Sequence, residues 1–251
     1  MNSFWLAFRF LTIIPLGRRK AIDSASVAAA GKYYPLVGLI IGGLAWSFFY
    51  GAGLLFPLAV AVGLLVVFWV VLTGALHLDG LADCLDGLYG GNTPEARLGI
   101  MKDVHLGTMG IVGLILILGI KYLALREMLS FPSLGLWILL IPAAGRWTPI
   151  LLAFLFPYAR PGGGLGQALA KGTGKKELFW ATLLAWGPVL ALGRYYGLGL
   201  MVVVSLWSLW CGWFFQKKIG GLTGDVFGAV IETSEVWGML YILGVASFER
   251  I

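Results

Sequence analysis

The run PLAVAVGLLVVFWVVLTGALHLDGLADCLDGLYGG, residues 57–91, joins an uncharged apolar segment to one carrying three aspartates, Asp79, Asp83 and Asp86. The apolar part is long enough to cross a bilayer. At about 100° per residue, positions i, i+4 and i+7 of a helix fall within an arc of about 60°, so the three carboxylates share one stripe. Three like charges repel one another, and each costs desolvation energy at a membrane boundary, so such a stripe calls for a cation against it. Hard oxygen donors at this spacing suit Mg²⁺, which in turn suits a phosphate-bearing substrate. A helix dipole favours an acid at a helix start. That accounts for one or two of the three, not for a full stripe set among Gly80, Gly87, Gly90 and Gly91.

Composition extends this reading to the whole chain. Of 251 residues, 59% are hydrophobic and 12% charged, about half the charged share of a soluble domain. Mean hydropathy is +0.90, with 37 Gly and 11 Trp, as packed transmembrane helices and interfacial aromatic belts require. The expected fold is all-α: a polytopic membrane bundle forming a single transmembrane catalytic domain, 1–251. Cys84 and Cys211 lack metal-ligand spacing and support neither a zinc site nor a disulfide framework. Residues 1–16 carry Arg9 inside their apolar run, with Arg18, Arg19 and Lys20 after it. This is not the order of a cleavable signal, and an interfacial or re-entrant helix is expected there.

About seven spans follow from the apolar runs, at 35–50, 57–76, 108–125, 134–156, 178–192, 197–215 and 236–248. The segments 17–34, 78–107, 157–177 and 216–235 then share one side and hold most of the loop lysines and arginines. The opposite loops and the C-terminus hold Arg126, Arg194 and Arg250. The positive-inside rule places the four longer segments in the cytoplasm, at the inner membrane of the cell. The net charge of +6 thus belongs beside lipid, and no nucleic-acid partner is expected. Homo-oligomerisation stays open.

The same side holds a second acidic segment, GGLTGDVFGAVIETSE, residues 220–235. On a helix, Asp225 and Glu232 lie within about 20° of each other and Glu235 about 60° further round. Two acidic helix ends facing each other could hold one or two divalent ions, with Asp79, Asp83, Asp86 and Asp225 as ligands. Between the two clusters, Asn92, Arg97, Lys102, Asp103 and His105 offer polar and cationic contacts, and His77 is a base or an orienting group. Arg146 lies inside the span 134–156, where an arginine requires an acidic partner, a wet cavity or substrate phosphate. The loop PYARPGGGLGQALAKGTGKK, beginning at Pro157 and containing Arg160, is basic and glycine-rich, suited to folding over an anion, but it lacks the GK[ST] ending of a P-loop.

These strings resemble a family. HLDGLADCLDG from His77, RLGIMKDVHLGTMG from Arg97 and GGLTGDVFGAVIETSE from Gly220 are similar to cobalamin synthases, the membrane adenosylcobinamide-GDP ribazoletransferases. FRFLTIIPLG from Phe8 and YYPLVGLIIGG from Tyr33 carry the likeness nearly end to end. Cys84 departs from the small or hydroxyl residue expected at its position. The resemblance implies that a ribose hydroxyl of α-ribazole, or of its 5′-phosphate, attacks the diphosphate of adenosylcobinamide-GDP and releases GMP, with Mg²⁺ as cofactor. It implies metal held by Asp79, Asp83, Asp86 and Asp225, with Asp83 or Glu232 as catalytic base. His77, Asn92, Arg97, Lys102, Asp103, Arg146, Arg160 and Glu235 are then the substrate-contacting set. An ion-coupled transporter is the competing class, because acids and an arginine at membrane depth also mark cation pathways. That class calls for midplane polar residues and inverted repeats, whereas both acidic clusters here fall at one membrane face and no repeat is apparent.

Overall fold

The computed structural model describes residues 3–15, 24–160 and 164–248. Eleven α-helices are described: α1 (Ser3–Leu11), α2 (Ser24–Gly31), α3 (Tyr34–Gly53), α4 (Leu58–Thr73), α5 (Leu76–Gly90), α6 (Pro94–Ile100), α7 (Thr108–Leu129), α8 (Leu136–Leu155), α9 (Leu165–Gly172), α10 (Lys175–Ile219) and α11 (Gly224–Phe248). Among the described residues there is no β-strand, and the extended pairing is one isolated bridge between Tyr158 and Leu222. The chain is an all-α, multi-pass membrane protein.

Helices α8 and α11 form the centre and are mostly buried, whereas α7 is mostly exposed and turns Ile115, Leu116 and Leu123 outward. Helices uniformly apolar on their outer faces suit lipid as solvent, and their association then rests on close packing of small residues. Gly38 and Gly42 of α3 meet the backbone of α8 so closely that a Cβ would collide with the Pro142 backbone oxygen or stand 2.6 Å from that of Ile138.

Five helices are long and apolar enough to cross a membrane, and the bent pair α4–α5 makes a sixth if taken as one span. The difference from seven lies in α10, whose 45 residues count once although the two expected spans, 178–192 and 197–215, fall on either side of a kink within it. A straight helix of that length would reach about 67 Å, more than twice the hydrocarbon thickness. Its backbone breaks at Arg194 (φ 50°, ψ −131°), and Gly197 lies back against Val189, where a Cβ would collide with the Val189 backbone oxygen. The last span also starts earlier than its apolar run suggests: residues 224–235 are the first turns of α11 and not a loop. The N-terminal helix matches α1, which buries Leu6, Ala7, Phe8 and Leu11; Arg18, Arg19, Lys20 and Arg250 lie outside the described residues.

Two corners position the acidic segments. Gly74 (φ 61°) and Ala75 (φ 55°) are both left-handed and turn α5 by 88° from α4, so α5 lies across the end of the span. Helix α5 then packs on the first turns of α11. A Cβ on Gly80 would stand 2.7 Å from the Asp225 backbone oxygen, and one on Gly228 3.1 Å from the His77 Cα. Gly80→Ala should therefore push α5 from α11 and cost about 1–3 kcal/mol, as overpacking does. Thermal unfolding in detergent checks this, and an unchanged midpoint would show that the two helices can separate freely.

Candidate active site

The acidic residues of α5 and α11 come together, but not as one uniform cluster. Asp79 is exposed at the lip of a cavity of about 210 Å³ that Asp225 and His77 also line. Asp83, one turn on, is half-buried; burial, then the Asp225 and Asp79 carboxylates, push its pKa up to about 7. Asp86 points the other way: its carboxylate accepts the Gly107 and Gly110 amides at 2.7 and 2.8 Å. Those amides begin α7, whose dipole favours an anion there, so Asp86 ties α5 to α7.

Asp225 is held from a loop. The bridge at Tyr158 and Leu222, with Ala159 N–H on the Leu222 oxygen at 2.7 Å and Leu222 N–H on the Pro157 oxygen at 2.8 Å, fixes the segment after α8 against the turn before α11. This brings Arg160 Nη1 to 2.9 Å from Asp225 Oδ2, while Thr223 Oγ1 donates to the same oxygen at 3.2 Å. Arg160 Nε and Nη2 are buried without a hydrogen-bond partner. A buried guanidinium with two idle donors beside carboxylates is suited to an incoming anion.

Glu232 and Glu235 lie deeper. They sit two to three turns into α11, and both are almost wholly buried. Lys121 Nζ of α7 donates to both at 2.7 Å, and Arg146 Nη1 of α8 donates to Glu235. The Lys121 ammonium also lies 4.9 Å from the centre of the Trp69 ring. Arg146 thus finds an acidic partner, as a cation in a span requires, but the partner is Glu235 and not an aspartate of the α5 stripe. His77 Nδ1 lies 3.9 Å from Glu232 Oε1, and neither ring nitrogen is hydrogen-bonded. Burial, followed by the Arg146 charge, lowers the His77 pKa to about 3 and keeps the ring neutral.

The remaining expected contacts are scattered. Arg97 Nη1 donates to the Lys218 carbonyl at 3.0 Å, holding α6 to the end of α10. Asn92 and Lys102 are exposed. Asp103 accepts from the His105 backbone and pairs with its ring at 2.7 Å on an exposed loop. Lys121 is the participant that sequence reasoning passed over. Its signal was available, because a lone lysine interrupts the apolar run 108–125 just as Arg146 interrupts 134–156.

Among the described residues, no three His, Cys, Asp or Glu side chains stand close enough to hold a metal ion by themselves. Mg²⁺ does not need such a cage: it is commonly bound by one or two carboxylates, with substrate phosphates and water completing the octahedron. Asp79 and Asp225 fit that mode. They are hard donors that, after burial, push the pKa of the neighbouring Asp83 up, and a divalent cation would relieve that repulsion.

The profile of the cobalamin-5-phosphate synthase family matches residues 3–243. The chain is 38% identical over 242 residues to the adenosylcobinamide-GDP ribazoletransferase of Desulforamulus reducens, covering 96% of each chain. It is 36% identical over 251 residues to that of Desulfitobacterium hafniense, covering 97% of this chain and 96% of the relative. With that of Pseudomonas putida it shares 37% over 249 residues, 98% of this chain and 99% of the relative. No solved structure matches the chain. A transporter finds no counterpart in these similarities, and a chain matched over nearly its whole length belongs to the cobalamin-5-phosphate synthase family.

Proposed function

We propose that this chain is a membrane-bound transferase that joins α-ribazole, or its 5′-phosphate, to adenosylcobinamide-GDP with release of GMP. The observation that carries the proposal within the structure is the meeting of the α5 acids Asp79 and Asp83 with the Asp225–Arg160 pair, with Asp79 and Asp225 lining the mouth of one cavity. Phosphoryl transfer is largely a matter of positioning and charge stabilisation, and this mouth offers carboxylates for a cation and a guanidinium for an anion.

The roles divide by placement. Asp79 and Asp225 would hold Mg²⁺, which when bound supplies charge neutralisation at the diphosphate, and Asp83 beside them stays unbound. Arg160 grips a phosphate oxygen through its idle Nε and Nη2 donors. A ribose hydroxyl of the acceptor attacks phosphorus, the bond to the GMP oxygen breaks, and the hydroxyl proton passes to a carboxylate. Asp83 suits that step because its proton affinity sits near neutrality. Glu232 is less suited, since Lys121 holds it in a buried pair. The mouth faces the cytoplasm of the inner membrane, in keeping with the charge of the loops around it.

Detergent-purified protein given both substrates and Mg²⁺ should release GMP with no membrane gradient. Release absent under those conditions, or requiring sealed vesicles and a gradient, would overturn the transferase reading. A second expectation concerns pH. A carboxyl whose pKa is raised to about 7 keeps its proton below that pH, and bringing in a cation must expel it. Mg²⁺ should therefore bind about tenfold more weakly at pH 6 than at pH 8, with proton release on binding. Calorimetry in two buffers of different ionisation enthalpy measures both, and a flat profile would remove Asp83 from the cation's surroundings.

A further inference from the structure

The cavity beneath Asp79 and Asp225 has no role in the diphosphate chemistry just described, and its lining points to a different kind of ligand. Along α11 it descends from Gly224 and Asp225 past Phe227 and Gly228 to Ile231, with α1, α3, α8 and α9 closing the other sides. Its walls are apolar and aromatic: Phe10, Tyr34, Leu76, Pro149, Phe227 and Ile231. Phe10 and Tyr34 lie nearly parallel, at 21° with centroids 5.9 Å apart. Below the acidic mouth stands His77, 3% exposed, facing Gly228 one turn down α11 from Asp225. Both of its ring nitrogens are buried without a hydrogen-bond partner. A buried imidazole left unmatched in this way is expensive unless a ligand satisfies it.

We propose that this cavity binds the flat heterocyclic base of the acceptor nucleoside, with His77 hydrogen-bonding the base or the adjoining ribose. The inference rests on the ribazole-transfer reading above. At about 210 Å³ the space is below the range of sites that enclose a whole drug-sized ligand, about 300–1,000 Å³. It suits a two-ring base and not a corrin or a guanosine diphosphate. A largely apolar base can fill the aromatic walls without leaving polar groups unpaired. With the base inside, the ribose lies toward the mouth, and its hydroxyls come up beside Asp79 and Asp225, where the diphosphate is held. His77 is thus a positioning residue that sets where the attacking hydroxyl stands.

The test uses the full chain in detergent, with steady-state kinetics in each substrate and direct binding of α-ribazole measured by calorimetry without the corrinoid. In His77→Ala the KM for α-ribazole should rise about tenfold or more, with that for adenosylcobinamide-GDP nearly unchanged. His77→Gln, which restores a donor and an acceptor, should recover part of the loss. In the wild-type protein, an α-nucleoside whose base carries an exocyclic amine should bind more weakly than α-ribazole, because the apolar walls leave the amine unpaired; this arm needs no variant to fold. An unchanged acceptor KM in His77→Ala, a rise in the corrinoid KM instead, or equal binding of both bases would overturn the assignment. His77-dependent binding of α-ribazole by wild-type protein that never releases GMP would overturn the transfer reading and support the base site.

Discussion

Asp83→Asn and Asp225→Asn should each lower the rate of GMP release by about 10²-fold or more and raise the Mg²⁺ concentration needed for half-maximal activity. Each change keeps the side-chain size while removing a negative charge, and loss of one preorganised electrostatic contact typically costs that much. The two carboxylates come from helices that meet at Gly80 and Asp225, and Asp225 is the strongest charged influence on Asp83. Groups that serve one cation and one diphosphate act as a unit, so the double variant should lose far less than the product of the single losses. Rates and metal titrations of the four proteins complete the cycle. Losses that multiply, with no change in metal requirement, would mean that the α5 and α11 acids serve separate purposes. Asp86→Asn offers a contrast: its oxygens hold the first amides of α7, so stability should suffer more than metal dependence.

Lys121→Leu should be the most damaging change away from the mouth, through folding and not through chemistry. Glu232 has Lys121 as its cationic hydrogen-bond partner, whereas Glu235 also has Arg146. Removing Lys121 leaves a buried carboxylate without compensation, which costs about 3–5 kcal/mol. The yield of monodisperse protein after detergent extraction and its thermal midpoint should both fall sharply. Lys121→Leu combined with Glu232→Leu should recover much of that loss, because an apolar pair of similar volume avoids desolvating either charge. Arg146→Leu should follow the same pattern more mildly, since Glu235 keeps Lys121. A Lys121→Leu protein of normal stability but low activity would instead place the lysine in catalysis.

Residues 57–91 are enough to establish a membrane chain with an acidic helix beside a span, because apolar length and charge spacing are local properties that no tertiary contact has to supply. The same holds for the second acidic segment, and for the demand that Arg146 find a partner. The strings around His77, Arg97 and Gly220 likewise suffice to place the chain in its family.

What became of each acid was decided only by packing. Helical periodicity puts Asp79, Asp83 and Asp86 on one stripe, yet the stripe divides among three neighbours: the cavity mouth, the α11 carboxylate and the α7 amides. Angular position on α11 likewise groups Asp225 with Glu232, but periodicity says nothing of depth. Two turns separate an acid at the mouth from one sealed against Lys121. Whether a charge serves substrate or structure depends on what lies opposite it, and that is fixed by close approaches such as Gly80 on Asp225 and by a loop bridge at Tyr158 and Leu222. These contacts join residues far apart in the chain, and so they exist only once the helices have packed.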